Sequence, residues 1–312
     1  MSNAAAEHSA EHSAGHPPVG HSPVGHSEHS PEVHNGHAHE DNHEQAHEHG
    51  QRFHHHGHER QRAPDAGTVL TIRANSGLSG DIMLAGLLRM AEIGEAEMPA
   101  LLAAIMPELA GAVSLVRKQV NHIGGWHALV NLPHQHEHRA LADITALITA
   151  CGMDETSKRL ATGTFTLLAR AEAAVHEKKP EDVHFHEVGA LDSILDICMA
   201  CALFAKLAPS RFVVSPLPLA DGCVTCAHGV IPVPAPAVLE LLDGIPVRPF
   251  AGTGETVTPT AIALLRALGA EFGPWPSMRV ERRALVYGTK VFADAPNGAI
   301  FAYGACGPEH SA

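Results

Sequence analysis

His184-Phe-His186-Glu187 sets two imidazoles at i and i+2. In an extended backbone alternate side chains share a face, so this spacing points both rings at one metal ion. Asp192 and Asp196 follow at i and i+4, on one face of a helix that the apolar spacing predicts from Leu191 to Leu207. Two imidazoles with nearby carboxylates make an open site for a borderline-soft divalent ion, with positions left for a substrate. Read more plainly, the same residues are strand histidines, a helix cap and a solvated acid.

His134-Gln-His136-Glu-His138 repeats the alternation just ahead of a helix predicted from Arg139 to Cys151. Metal binding and a polar loop fit it equally. Ser79-Gly80-Asp81 lies between a strand and a helix, where free backbone N–H groups favour phosphate. It lacks the Lys-Ser/Thr of a Walker loop, and Asp81 also reads as an N-cap. Gly252-Thr-Gly254 running into Thr258-Pro259 follows the same logic. His228 stands in a loop between proline-rich strands. Cys198-Met-Ala-Cys201 and Cys223-Val-Thr-Cys226 have zinc-ribbon spacing. The first pair, however, falls on the apolar face of a helix, where free cysteine behaves as a small hydrophobe.

Sixteen of the 26 histidines precede residue 61, in a stretch whose only bulky apolar residues up to Ala66 are Val19, Val24, Val33 and Phe53. Such a segment cannot bury enough surface to offset its ordering entropy. Residues 1–66 are therefore expected to be a disordered metal-binding tail, and residues 67–312 the folded domain. Imidazole suits Ni, Zn, Cu and Fe rather than Mg or Ca. The formal net charge of −13 argues against nucleic acid. No apolar run reaches the length of a membrane span, and no signal peptide is evident, so a cytoplasmic protein is expected.

The elements that must position these residues alternate between strand and helix. Strands are predicted at 68–72, 113–120, 126–132, 183–188 and 212–219, with Gly124-Gly125 as the turn between the second and third. Helices are predicted at 82–93, 98–109 with a break near Pro107, 139–151, 155–177 and 191–207, and two more open near Pro236 and at Thr258-Pro259. This pattern predicts an α/β or α+β fold with a mixed sheet.

Several strings together resemble the LarC family of nickel-insertion proteins. They are Ser76-Gly-Leu-Ser-Gly-Asp81, His138-Arg139 through Asp143-Ile144, Ala171-Glu-Ala-Ala-Val-His176, Val183 through Ile197, Ser215-Pro-Leu-Pro-Leu219, Ala227 through Pro236 and Thr258-Pro-Thr260. They keep the family's order over about residues 68–270, and the strings at 183–197 and 227–236 are highly specific. The resemblance implies insertion of Ni(II) into pyridinium-3,5-bisthiocarboxylate mononucleotide, which makes the nickel-pincer cofactor of lactate racemase. The ion ends on two sulfurs and a ring carbon, CTP is consumed, and Mn(II) or Mg(II) assists. The resemblance implies nickel handling by His184, His186 and Glu187, with Asp192 and Asp196 as ligands or orienters. Phosphate contacts fall to Ser79, Gly80, Gly252, Gly254 and Thr258, and proton transfer to His228 with Asp81.

Three departures stand out. Arg73-Ala74 occupies the family's usual Asp-Cys, Ala261 replaces a usual Gly, and the chain ends soon after Gly288-Thr-Lys290. The family's C-terminal domain, associated with CTP, is then expected on a separate polypeptide. The competing expectation is a non-enzymatic nickel-storage protein or metallochaperone on the same scaffold, and a zinc-ribbon module ranks last. The sequence leaves the oligomeric state open.

Overall fold

The computed structural model describes residues 67–132, 139–185, 188–226, 228–293 and 295–307. His134, His136, His138, His186 and Glu187 lie outside the described residues, as does the chain before Gly67. Along the chain run β1 (Thr68–Ala74), α1 (Gly80–Met90), α2 (Met98–Ile105), β2 (Val113–Val120), β3 (Ile123–Val130), β4 (Arg139–Ala140), α3 (Leu141–Ala150), α4 (Glu155–Val175), β5 (His184–Phe185) and α5 (Leu191–Leu207). There follow β6 (Arg211–Val214), β7 (Leu217–Asp221), β8 (Cys223–Cys226), β9 (Gly229–Pro232), α6 (Pro236–Leu241), β10 (Val247–Thr253), α7 (Pro259–Ala267), β11 (Glu271–Phe272), β12 (Met278–Val286) and β13 (Ala299–Cys306).

Seven strands form one mixed sheet in the order β11-β6-β1-β13-β12-β3-β2. β1 pairs in parallel with β6 and antiparallel with β13. Its Val69, Leu70 and Ile72 are fully buried, as a strand covered on both faces requires. α1 packs on β3, β12 and β13, and α4 packs on α5, α6 and α7. The core runs continuously from Leu70 and Ile72 through Leu87, Phe165 and Ile194 to Ile262 and Phe301. The protein is thus a mixed α/β fold. Among the described residues no helix is long and apolar enough to cross a membrane.

The hairpin of β2 and β3 departs from expectation. It turns at Asn121 and His122, whose φ values are 50° and 63°, while Gly124 and Gly125 lie inside β3. Gly125 is there for close approach, since a Cβ on it would stand 2.5 Å from the Tyr287 ring. Residues 212–219 are likewise two strands, β6 in the large sheet and β7 paired with β10. The 98–109 helix ends at Ile105 and gives way to a 3-10 turn at Pro107–Leu109. Cys198 and Cys201 are buried on α5, where desolvation pushes both thiols up, Cys201 to about 12.

Candidate functional site

Two strand-to-helix turns are fastened together. Leu78 bridges Val257 in parallel, its N–H donating to the Thr256 carbonyl at 2.9 Å and its carbonyl accepting from Thr258 N–H at 3.1 Å. Gly77 makes this possible. Its φ is +149°, and a Cβ would stand 1.8 Å from the Thr256 oxygen. The turns therefore bring the starts of α1 and α7 side by side. Thr258 caps α7, its hydroxyl accepting from Ala261 N–H at 3.3 Å, and Pro259 follows in the first turn. Asp196 of α5 reaches the same place, for a Cβ on Gly80 would meet its Oδ2 at 3.0 Å and Thr260 Cγ2 at 3.5 Å.

Around this junction opens a cleft of about 640 Å³, well within the roughly 300–1,000 Å³ of small-molecule sites. Its chemistry comes from Asp81, Glu172, His176, Asp196, Cys226 and His228. A side pocket of about 200 Å³ adjoins it across Asp81, Glu255 and Thr258, and is lined by Ser76, Ser79, Thr256, Thr289 and Lys290. Hydroxyls and a lysine beside helix starts suit a phosphate, whereas thiol, imidazole and carboxylates suit a cation. A wider groove of about 810 Å³ along α4 gathers Glu155, Lys158, Arg159 and Arg170 but no Cys or His, so it offers no soft donor.

The carboxylates of the cleft differ sharply. Asp81 is fully engaged. One oxygen accepts from Ser79 Oγ and from Ile82 N–H at 2.9 Å, the other from Thr289 N–H at 3.0 Å and Thr289 Oγ1 at 3.3 Å. His127 is buried with Nδ1 2.8 Å from the Tyr287 carbonyl and 4.0 Å from Asp81. Asp196, by contrast, has a solvent-inaccessible Oδ1 with no hydrogen-bond partner. Burial first, then the charges of Asp81 and Asp192, hold its carboxyl well above the usual carboxylate range. Lys290 donates to the carbonyls of Thr253 and Glu255 at 3.1 and 3.0 Å. Burial lowers its ammonium, with Glu255 acting in the opposite sense.

Opposite these acids, α4 and the β8–β9 hairpin meet. The rings of His176 and His228 lie 5.0 Å apart, and His176 Nε2 is 3.5 Å from Glu172 Oε2. His228 Nδ1 lies 3.9 Å from Cys226 Sγ, which also accepts from the His228 N–H at 3.4 Å. Among the described residues no three His, Cys, Asp or Glu side chains converge as a closed metal site.

The expected site residues divide. Asp81, Gly80, Thr258, Asp196 and His228 line the cleft, and Ser79 lines the side pocket. Gly252 and Gly254 line neither. A Cβ on Gly252 would meet the Phe250 and Phe292 rings, and the Gly254 N–H is spent on the Asp221 carbonyl at 3.0 Å. His184 is exposed on β5, and Asp192 is exposed with its carboxylate on Ser193 N–H at 2.7 Å; neither is among the lining residues. Arg73 packs its guanidinium toward the Gly273 carbonyl at 2.9 Å and the Trp275 ring, away from the cleft. Glu172 and His176 carry no site role in the sequence reading, and Cys226 enters it only as half of a zinc-ribbon pair. The i, i+4 spacing of Glu172 and His176 was an available signal, since it puts both on one helical face.

A family model described as nickel insertion protein matches residues 70–304. The chain is 41% identical over 219 residues to a Nocardioides sp. protein named pyridinium-3,5-bisthiocarboxylic acid mononucleotide nickel insertion protein, covering 69% of this chain and 54% of that one. Relatives named for nickel insertion in Geotalea daltonii and Myxococcus xanthus are 44% and 40% identical, over 60% and 73% of this chain and 47% and 58% of theirs. The chain thus spans about half the length of the curated relatives it matches. No solved structure matches it.

Proposed function

The chain belongs to the nickel insertion protein family, and on that premise we propose that its cleft inserts Ni(II) into pyridinium-3,5-bisthiocarboxylic acid mononucleotide, the precursor of the nickel-pincer cofactor of lactate racemase. The observation that carries this reading is the union, in one cleft, of acids, imidazoles and a thiol with a hydroxyl-lined side pocket. The mononucleotide phosphate takes the side pocket at Ser79 and Thr258, beside Gly80 at the cleft edge, with Gly252 and Gly254 shaping the adjoining loop. The pyridinium ring then reaches toward Asp196 and His228.

Insertion replaces a ring C–H bond by a carbon–nickel bond while two thiocarboxylate sulfurs close on the ion. The proton leaves to a base, and no electrons change hands. His228 is the proposed acceptor, since it lines the cleft and a neutral imidazole has an acceptor nitrogen that can take a proton, and Asp81 holds the junction around it. His184, His186, Glu187, Asp192 and Asp196 are proposed to pass the ion inward. His134, His136, His138 and the tail act as the reservoir. The enzyme class is a nickel chelatase. CTP with its Mn(II) or Mg(II) is assigned to a partner domain, and no step here runs through them.

Purified full-length chain, NiCl2 and the mononucleotide, with CTP and the partner domain, should yield nickel-bound product by mass spectrometry. His228→Ala should slow formation by about a hundredfold or more, the scale of a lost general base. No nickel in the product with every component present would overturn the reading.

A further inference from the structure

We propose that Cys226 and His228 together form the seat that holds the nickel cargo inside the cleft before it moves to the substrate; this rests on the insertion reading above. Cys226 ends β8 and His228 stands in the turn of the same hairpin, where Cys226 registers with Gly229. Their donor atoms, Sγ and Nδ1, stand 3.9 Å apart. Donors sharing a divalent ion at ordinary metal–sulfur and metal–nitrogen lengths lie about 3.5 Å apart, so a small side-chain rotation closes the pair on one ion.

Thiolate and imidazole are the softer ligands that suit nickel over the harder cations. Cys226, His228, His176 and Glu172 all face the same cleft. The His176 ring, with Nε2 3.5 Å from Glu172, lies beside the His228 ring at 5.0 Å and tilted by 35°. Cys223, at the far end of β8, is exposed and does not line the cleft, so the seat uses one member of the Cys223–Cys226 pair.

The seat is open. A seat of two protein donors leaves the ion free coordination positions for the incoming thiocarboxylate sulfurs. A cargo site needs this property and a storage site does not. Transfer is then a ligand exchange. Two nickel–sulfur bonds to the substrate form, the nickel bonds to Cys226 Sγ and His228 Nδ1 break, and the nickel–carbon bond replaces the ring C–H. The ring proton moves to the imidazole nitrogen that the ion has vacated. Nickel stays Ni(II) throughout.

The test uses the unaltered full-length chain. Each cysteine is alkylated with iodoacetamide, with and without NiCl2 added beyond saturation of the histidine-rich segment, and followed by peptide mass spectrometry. Cys226 should react about tenfold more slowly once free nickel is ten times the dissociation constant of the seat, while Cys223 keeps its rate. A sulfur-to-nickel absorption band in the near ultraviolet should appear, vanish in Cys226→Ser, weaken in His228→Asn and persist in Cys223→Ser. An unprotected Cys226, or a band that survives Cys226→Ser, overturns the seat. Nickel transfer to the mononucleotide is measured separately. Transfer with Cys226 unprotected sinks the seat alone, whereas protection without transfer sinks the insertion reading and leaves the seat standing.

Discussion

Asp196 is the residue whose state is most constrained by its surroundings. Its Oδ1 has no partner, it presses on the start of α1, and two other acids act on it. A carboxyl whose native pKa is raised binds its proton more tightly folded than unfolded. The associated stability is fully present below the unfolded value and is lost as pH rises through the native one. In metal-free protein, Asp196→Asn should therefore gain little at pH 4 and about 1–3 kcal/mol at pH 8, the cost of an uncompensated buried group. Urea unfolding of both proteins at the two pH values checks this, and an advantage that does not grow with pH counts against it. The same variant should insert nickel poorly, because a neutral amide cannot offer the ion a carboxylate. Stability traded for a charged group at the cleft wall is the expected signature of a functional rather than a structural acid.

At the scale of elements, the site depends on two turns staying fastened. Gly77→Ala forces an L-residue to φ near +149° and drives its Cβ into the Thr256 carbonyl. The variant should lose about 3 kcal/mol or more and should separate the starts of α1 and α7, read as a lower urea midpoint and impaired insertion. Much of this framework is legible in the amino-acid order. The helix at Leu191–Leu207 and the Thr258-Pro259 start of α7 carry apolar periodicity and caps, which are local signals. The β2–β3 turn was misread because paired glycines resemble a turn, whereas here they make room for Tyr287 and the turn is built by Asn121 and His122. β12 and β13, central in the sheet, went unread. β12 buries only its last residues regularly and β13 is buried nearly throughout, so neither alternates cleanly. Nor could any local pattern announce that α4 would carry His176 to the ring of His228, more than fifty residues on. That proximity is made by tertiary packing.

At the scale of the whole molecule, the proposed reservoir and the proposed insertion cleft fall in different stretches of the chain. Among the described residues the main buried core cluster runs from Leu70 to Tyr303, while sixteen histidines precede residue 61. Deleting residues 1–60 should sharply lower the number of nickel ions bound at saturation and leave the thermal midpoint within about 2 °C, since that stretch has too few bulky apolar residues to bury a core. A larger shift or a loss of cooperativity would mean that the histidine-rich segment is part of the folded unit. Loading itself should follow imidazole titration. Nickel must displace protons from groups that titrate near about 6.5 in peptides, so the full chain should load strongly at pH 8 and retain little by about pH 5. Equilibrium dialysis across this range decides it, and equal loading at both ends would show that carboxylates rather than imidazoles hold the ion. The thiol of the proposed seat must also give up its proton to bind. A fall in pH should therefore empty the cleft along with the reservoir, and a cell compartment that turned acidic would halt insertion at the supply step before it reached the chemistry.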